Sequence, residues 1–376
     1  MPRPITAVIH QDALLHNLNI ARQSMPNSQV FAVVKANAYG HGIERVFHAF
    51  QHADGFALLD IAEAVRLRDC GWKGPILLLE GIFSAEDLEQ CQKYQLSFTI
   101  HQQHQIQWLE QFQQNLLHNQ AATESQLQFD IYLKMNTGMN RLGFTPELYV
   151  DAWHQLKQLQ IVRSITHMMH FSDADGDRFG ESGIEYQRTL FDQTIQDLSG
   201  KTSLCNSAAI LRHAAHLTSD YVRSGIMLYG SSPDYPTHTI QDWNLKPTMS
   251  LRSEIIAIQD LQAQQTVGYG SKFIATETMR IGIVACGYAD GYQRISTDAP
   301  VLVDDIRTRT IGRVSMDMLA VDLTHIPEAK VGSEVVLWGQ SAKGTVLPID
   351  EVAASSGTVG YELMCAVTNR VRLINQ

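Results

Sequence analysis

The sequence predicts an N-terminal closed parallel (β/α)8 barrel followed by a mostly-β C-terminal domain. Three observations carry that expectation. Short apolar runs alternate with helix starts through roughly the first 230 residues, and eight such repeats suit a closed barrel. The glycine fingerprint G-x-G-x-x-G of an open doubly wound sheet does not follow the first strand. Past Gly230 the helical periods thin out and strands separated by turns take over. The expected domains are 1–232 and 233–376, joined by the turn-rich stretch Ser231-Ser232-Pro233-Asp234-Tyr235-Pro236.

The elements follow in order. Asp12 is a candidate N-cap for a first helix that carries Leu14 and Leu18 on one face. Phe31-Ala32-Val33-Val34, apolar and half β-branched, is the first buried strand. Residues 56–59 make the next, and Asp60-Ile61-Ala62-Glu63 opens a helix with capping-box-like spacing. Residues 76–79 form a third strand, and Ser84 is expected to cap the acidic helix after it. Residues 96–100 precede a glutamine-rich helix through Trp108 and Leu116, whose recurring apolar residues mark a solvated amphipathic helix. A fifth strand covers 129–135, and Thr145-Pro146-Glu147 has the N-cap threonine and N1 proline of a helix start. Strands are expected at 164–170, 202–205 and 220–225, with helices over 181–198 and from Ser207. In the second domain 249–258, 279–285, 301–303, 308–323 and 334–338 read as strands.

Composition narrows the function. A chain of 376 residues with 44% hydrophobic and 18% charged content is globular and long enough for two domains. A formal charge of −10 with no basic stripe argues against a nucleic-acid binder. Cys70, Cys91, Cys205, Cys286 and Cys365 are odd in number and lack C-x-x-C spacing, as expected of reduced thiols in a cytoplasmic protein. The opening Met1-Pro2-Arg3-Pro4-Ile5 lacks the apolar run of a signal peptide, and no stretch is long enough to cross a membrane.

The first strand ends at Lys35, and an ammonium at the mouth of a buried strand is costly unless paired or deprotonated. Desolvation lowers a lysine pKa, and the neutral amine is a nucleophile suited to Schiff-base chemistry. A single strand-end lysine more often snorkels to solvent. Barrels hold phosphate in the loops after strands seven and eight, which read Cys205-Asn206-Ser207-Ala208-Ala209 and Arg223-Ser224-Gly225-Ile226. A small hydroxyl at a helix N-terminus suits an anion, although N-S-A-A alone also reads as an ordinary N-cap. His167 and His170 are three apart in one strand, so they point to opposite faces and one alone faces inward.

The run Ala32-Val33-Val34-Lys35-Ala36-Asn37-Ala38-Tyr39-Gly40-His41-Gly42 resembles the cofactor-lysine motif of the alanine racemases, barrel-type pyridoxal-phosphate enzymes. The resemblance continues almost to the C-terminus. It implies that Lys35 carries pyridoxal 5'-phosphate as a Schiff base and that Tyr39 lies beside the phosphate. It also assigns the phosphate to Asn206, Ser207, Gly225 and Ile226, in the loops that the strand count reached separately, and to Tyr361 near the C-terminus. Arg223 would face the ring nitrogen, which a guanidinium leaves unprotonated. Thr266-Val267-Gly268-Tyr269-Gly270 resembles the segment whose tyrosine, from the partner subunit's β domain, is the second base opposite Lys35. His170-Phe171 matches the family's H-F pair, making His170 with Arg223 the support for that tyrosine. His167 is then a structural histidine.

Lys134 to Gly143 resembles K-x-D-T-G-M-x-R-x-G, which implies that Arg141 orients the substrate carboxylate and that Lys134 is carbamylated to hold it. Asn136 departs from the family's aspartate and alters the charge balance on which the carbamate depends. Gly287-Tyr288-Ala289-Asp290-Gly291 and Gly312-Arg313-Val314-Ser315-Met316-Asp317 resemble the blocks that narrow the entrance through Tyr288 and offer the Met316 backbone N–H to substrate. The resemblance thus implies a homodimer with shared sites that interconverts L- and D-alanine. A racemase of broader specificity, a barrel-type decarboxylase and a non-catalytic pyridoxal-phosphate carrier are the alternatives. Arg223 and Tyr269 speak against the decarboxylase, and the second domain speaks against the carrier.

Overall fold

The computed structural model describes residues 3–118 and 128–376. The chain divides into two compact units. One holds Leu18–Ala38 and Phe47–Gly225; the other holds the segments up to Asn17, Tyr39–Val46 and Ile226–Gln376.

The first unit is a closed parallel barrel of eight strands. They are Gln29–Val33, Gly55–Leu58, Ile76–Leu78, Ser97–Ile100, Phe129–Lys134, Val162–Met168, Lys201–Ser203 and Tyr221–Ser224. Tyr221–Ser224 pairs back onto Gln29–Val33 and closes the ring. Phe56, Leu77, Phe98, Ile131 and Leu133 are fully buried, because strands covered on both sides run as nearly continuous apolar segments. Each strand expected from the sequence has its counterpart here, with ends within two residues.

Helix boundaries depart more. Asp60 and Thr145 are N-caps as expected. Asp12 lies inside the helix Gln11–Ser24 rather than capping it. Ser84 is not the cap of Asp87–Lys93; its N–H instead donates to the Asp87 carboxylate (3.0 Å). The helix expected from 181 begins at Glu185, since Glu181–Ser182 pairs with Asp177–Arg178 in a short hairpin.

The second unit carries a nine-stranded sheet. Its order is Val346–Leu347, Glu334–Gln340, Pro300–Val303, Ile306–Ile311, Leu319–Asp322, Met279–Val284, Met249–Leu261, Thr6–Ile9 and Arg372–Asn375. Met249–Leu261 also pairs with Glu334–Gln340, so six strands close on themselves. The expected strand 308–323 is two strands joined by a turn. Two helices, Ile349–Ser355 and Gly360–Ala366, fall where few helical periods were read. The compact units also do not follow one cut at residue 232: Thr6–Ile9 and Tyr39–Val46 group with the β unit.

Candidate active site

Lys35 stands just past the first barrel strand, and the chain there makes a left-handed turn. Ala36, Asn37, Ala38 and Tyr39 have φ of 53°, 52°, 55° and 50°. Consecutive L residues in this region cost about 1–2 kcal/mol each. Three hydrogen bonds offset that strain. Ala38 N–H donates to the Val34 carbonyl (2.9 Å). Asn37 N–H donates to Glu63 Oε1 (2.6 Å), and Arg66 Nη2 donates to Asn37 Oδ1 (2.8 Å). None of these residues is a glycine, so the sequence carried no signal of the turn.

Arg223, 4% exposed, is buried at the barrel rim and held by several acceptors. Its Nη1 donates to the carbonyl and hydroxyl of Ser203 (both 2.7 Å). Its Nη2 donates to the carbonyls of Met169 (2.7 Å) and Leu204 (3.2 Å). Burial lowers the guanidinium pKa to about 10, still charged at neutral pH. The same Nη2 lies 3.4 Å from His170 Nδ1. Arginine only donates, so Nδ1 accepts and the ring proton of a neutral His170 sits on Nε2. Burial, then Arg223, Lys134, Arg141 and Lys35, hold His170 well below the ordinary histidine pKa.

Register separates the two histidines. His167 lies opposite Leu133, whereas Lys134 lies opposite Met168, and opposed side chains in a parallel pair share a face. His167 points to the helix Pro146–Gln158, where its Nδ1 meets the Tyr149 hydroxyl at 2.9 Å. Lys134 and His170 fall on the other face and line one cleft with Asn136, Thr137 and Arg141. Lys134 is 6% exposed. Burial, then the cations Arg223 and Arg141, lower its amine to about 8, with Glu80 opposing. Asn136, the departure from the family pattern, shapes the Arg141 loop. Its Oδ1 accepts from Gly138 (3.1 Å) and Asn140 (3.0 Å) N–H groups, and its Nδ2 donates to Asn140 Oδ1 (3.0 Å).

The two expected anion loops are tied together. Gly225 N–H donates to Ser207 Oγ (3.0 Å), and Arg223 N–H donates to the Cys205 carbonyl (2.9 Å). Asn206 caps the helix Ser207–His213 by accepting from Ala209 N–H (3.0 Å), and its Nδ2 donates to the Phe171 carbonyl (3.2 Å). Ile226 follows directly and opens the short turn Ile226–Tyr229.

The second unit holds the remaining predicted residues. Tyr39 packs against Tyr229 with centroids 4.5 Å apart and the rings tilted by 31°, and it meets Tyr361 edge-on at 6.5 Å. Burial, then Cys365 and Tyr361, push the Tyr39 phenol up, so it stays protonated. Tyr269 is 67% exposed at the tip of a hairpin formed by Thr266–Val267 and Phe273–Ile274. Val267 anchors that hairpin in a cluster with Ile281, Ile311 and Ala320. Gly268 and Gly270 flank the tyrosine at φ of 73° and 72°, a conformation only glycine adopts without strain. Tyr288 and Met316 sit on loops zipped by Tyr288 N–H to Ser315 O and Ala289 N–H to Met316 O (both 3.0 Å). A Cβ on Gly287 would lie 2.3 Å from the Met316 oxygen, so this close approach requires glycine. Among the described residues, no helix is long and apolar enough to cross a membrane.

A closed barrel with lysine, histidine and arginine side chains gathered at one rim, carried on a chain with a strand-rich second unit, defines a class: two-domain barrel enzymes. The comparisons specify which. Residues 9–233 match the family model for the alanine racemase N-terminal domain, and residues 248–375 match that for its C-terminal domain. The chain is 69% identical to an alanine racemase of Acinetobacter baumannii strain SDF, with both chains covered in full. It is 57% identical to that of Acidovorax sp. strain JS42, again over the whole of both chains. Among solved structures, the biosynthetic alanine racemase of Pseudomonas aeruginosa superposes with a TM-score of 0.90 at 39% identity, covering 100% of this chain and 99% of that one. The alanine racemase of Acinetobacter baumannii gives 0.89 at 36% identity, covering all of both. The chain belongs to the alanine racemase family.

Proposed function

We propose that this protein interconverts L- and D-alanine with pyridoxal 5'-phosphate, working as a cytoplasmic homodimer whose subunits share their active sites. The observation that carries the reading is the buried guanidinium of Arg223 at the end of the eighth barrel strand, held by carbonyls with no carboxylate in its place. A decarboxylase of this fold needs an acid there. Full-length matches to both family domains support the same activity.

The residues fit the cofactor. Asn206, Ser207, Gly225, Ile226, Tyr39 and Tyr361 are assigned to its phosphate. The linked hydroxyl and N–H groups of the loops after strands seven and eight, with the protonated Tyr39 phenol, are donors suited to an anion. Arg223 would meet the ring nitrogen as a donor, so that nitrogen stays unprotonated. When bound, the cofactor supplies an electron sink for the bond between Cα and its hydrogen.

The chain's own groups do the rest. Arg141 holds the substrate carboxylate, aided by the Met316 backbone N–H of the partner subunit. Lys35 Nζ moves the proton on one face of Cα, and the Tyr269 hydroxyl from the partner subunit moves it on the other. His170 is neutral with its proton on Nε2, leaving that nitrogen as the donor that supports the Tyr269 oxygen as it loses its proton. Tyr288 narrows the entrance to suit a small side chain. Lys134 is the candidate carbamate: a buried amine near pKa 8 is largely nucleophilic at mildly alkaline pH, and an anion there relieves repulsion from Arg141.

The test is an assay for D-alanine formed from L-alanine, run beside a small-amino-acid panel and a visible spectrum of the purified protein. A bound cofactor with no D-alanine produced would make the protein a carrier. Equal rates on serine and alanine would widen the specificity. Supply of D-alanine for cell-wall peptidoglycan and catabolism of alanine are the two roles that this activity serves.

A further inference from the structure

We propose that Glu63 and Arg66 are positioning residues for Lys35: together they hold Asn37 in the left-handed turn that sets the direction of the lysine side chain. The inference rests on Lys35 being the cofactor lysine, and it concerns what keeps that amine in place.

Four consecutive non-glycine residues after Lys35 occupy the left-handed region. Such a backbone persists only where its surroundings over-determine it, and such strain gathers at functional sites. Here two of the restraints come from one neighbouring element, the helix Ile61–Asp69. Glu63 and Arg66 are three apart on that helix, so they share a face. They grip the same residue by both of its polar ends: Glu63 Oε1 takes the Asn37 N–H at 2.6 Å, and Arg66 Nη2 gives to Asn37 Oδ1 at 2.8 Å. The helix is fixed in turn by Asp60, whose side chain accepts from the Ala62 N–H (2.8 Å), and by the buried Ala64 and Leu67. Asparagine is also among the few non-glycine residues that tolerate this conformation. The reach of the grip is two residues: shifting Asn37 swings the peptide that follows Lys35 and re-aims its Nζ.

A re-aimed nucleophile costs roughly 10- to 100-fold in turnover when displaced by about an ångström. Glu63→Ala removes the acceptor, whereas Glu63→Gln keeps a carbonyl oxygen at the same place. Purified full-length Glu63→Ala, Glu63→Gln, Arg66→Met and Lys35→Ala would be loaded with pyridoxal phosphate, dialysed into cofactor-free buffer and compared with the parent. Circular dichroism, the visible band of the lysine-bound cofactor, and separate kcat and KM for alanine would be read. We expect Glu63→Ala to keep its fold, lose band intensity on dialysis and lose roughly tenfold or more in kcat. Arg66→Met should follow in the same direction, and Glu63→Gln should regain most of the band and of kcat. Should Glu63→Ala or Arg66→Met fail to fold, the band and kcat of Glu63→Gln against the remaining variant decide. The clamp is overturned if Glu63→Ala and Arg66→Met keep the parent band and kcat while Lys35→Ala loses both. A parent with no lysine-dependent band would instead remove Lys35 itself from the role.

Discussion

Replacing Lys134 with methionine measures what the barrel rim bears by burying an amine. The side chain is 6% exposed. Its pKa falls from 10.5 to about 8, chiefly through burial and then through Arg223 and Arg141. The difference, 10.5 − 8, is 2.5 units, or about 3 kcal/mol at 1.36 kcal/mol per unit. Its sign follows from proton linkage. Below pH 8 the amine is protonated in folded and unfolded chains alike, and the fold bears the whole penalty. Between pH 8 and 10.5 the folded chain releases its proton first, and the penalty fades as pH rises. Methionine keeps the length and removes the charge. In carbon-dioxide-free buffer, urea unfolding at one protein concentration should find Lys134→Met more stable than the parent near pH 7 by up to about 3 kcal/mol. That advantage should shrink steadily towards pH 10. A difference that stays constant from pH 6 to 10 would refute the reasoning. Adding bicarbonate at pH 8 should then stabilise the parent and leave Lys134→Met unmoved, because only the parent can form the carbamate.

Lys35→Ala should abolish the visible band of the lysine-bound cofactor, whereas Tyr269→Phe should keep it and lose racemisation, with hydrogen exchange at Cα impaired from one enantiomer. Parent-rate racemisation by Tyr269→Phe would end the two-base assignment. Activity per subunit should fall on dilution through the dimer dissociation range, read by assay beside sedimentation; full activity in a demonstrated monomer would exclude a shared site. Asp350, 4% exposed and raised from 3.8 to about 6 by burial, binds its proton more readily folded than unfolded. The parent should therefore gain stability over Asp350→Asn as pH falls from 7.5 to 4.5, by up to about 2 kcal/mol, and a flat difference across that range would remove Asp350 as its source.

The barrel was legible because parallel strands covered on both sides must be short apolar runs, and turn residues punctuate them. The adjacency of two rim loops was legible for a related reason: closing eight strands puts 205–209 and 223–226 beside each other, which the Ser207–Gly225 hydrogen bond realises. Choosing His170 over His167 needed only strand parity and the pair His170-Phe171. What stayed hidden depended on distant partners or on backbone alone. Thr6–Ile9 is too short to read as a strand until Met249–Leu261 and Arg372–Asn375 flank it. The left-handed turn runs through alanines, which by propensity belong in a right-handed helix. Glu63 read only as part of a helix cap, and its grip on Asn37 spans 26 positions. Ser84 failed as a cap because Asp87, a stronger acceptor, turned back to bind its N–H.

The placement of Thr6–Ile9 bears on how the chain is made. This strand precedes the whole barrel in the chain, yet both of its neighbours lie beyond residue 248. It has no ladder to join until residues 249–252 and 372–375 have been made, so this part of the β unit closes through contacts of long sequence separation. A fragment starting at 233 would bare the backbone donors and acceptors of Met249–Arg252 and of Arg372–Asn375, an invitation to pair with other chains. Expression of that fragment alone should yield aggregates, and supplying the first seventeen residues through a fused linker should restore solubility.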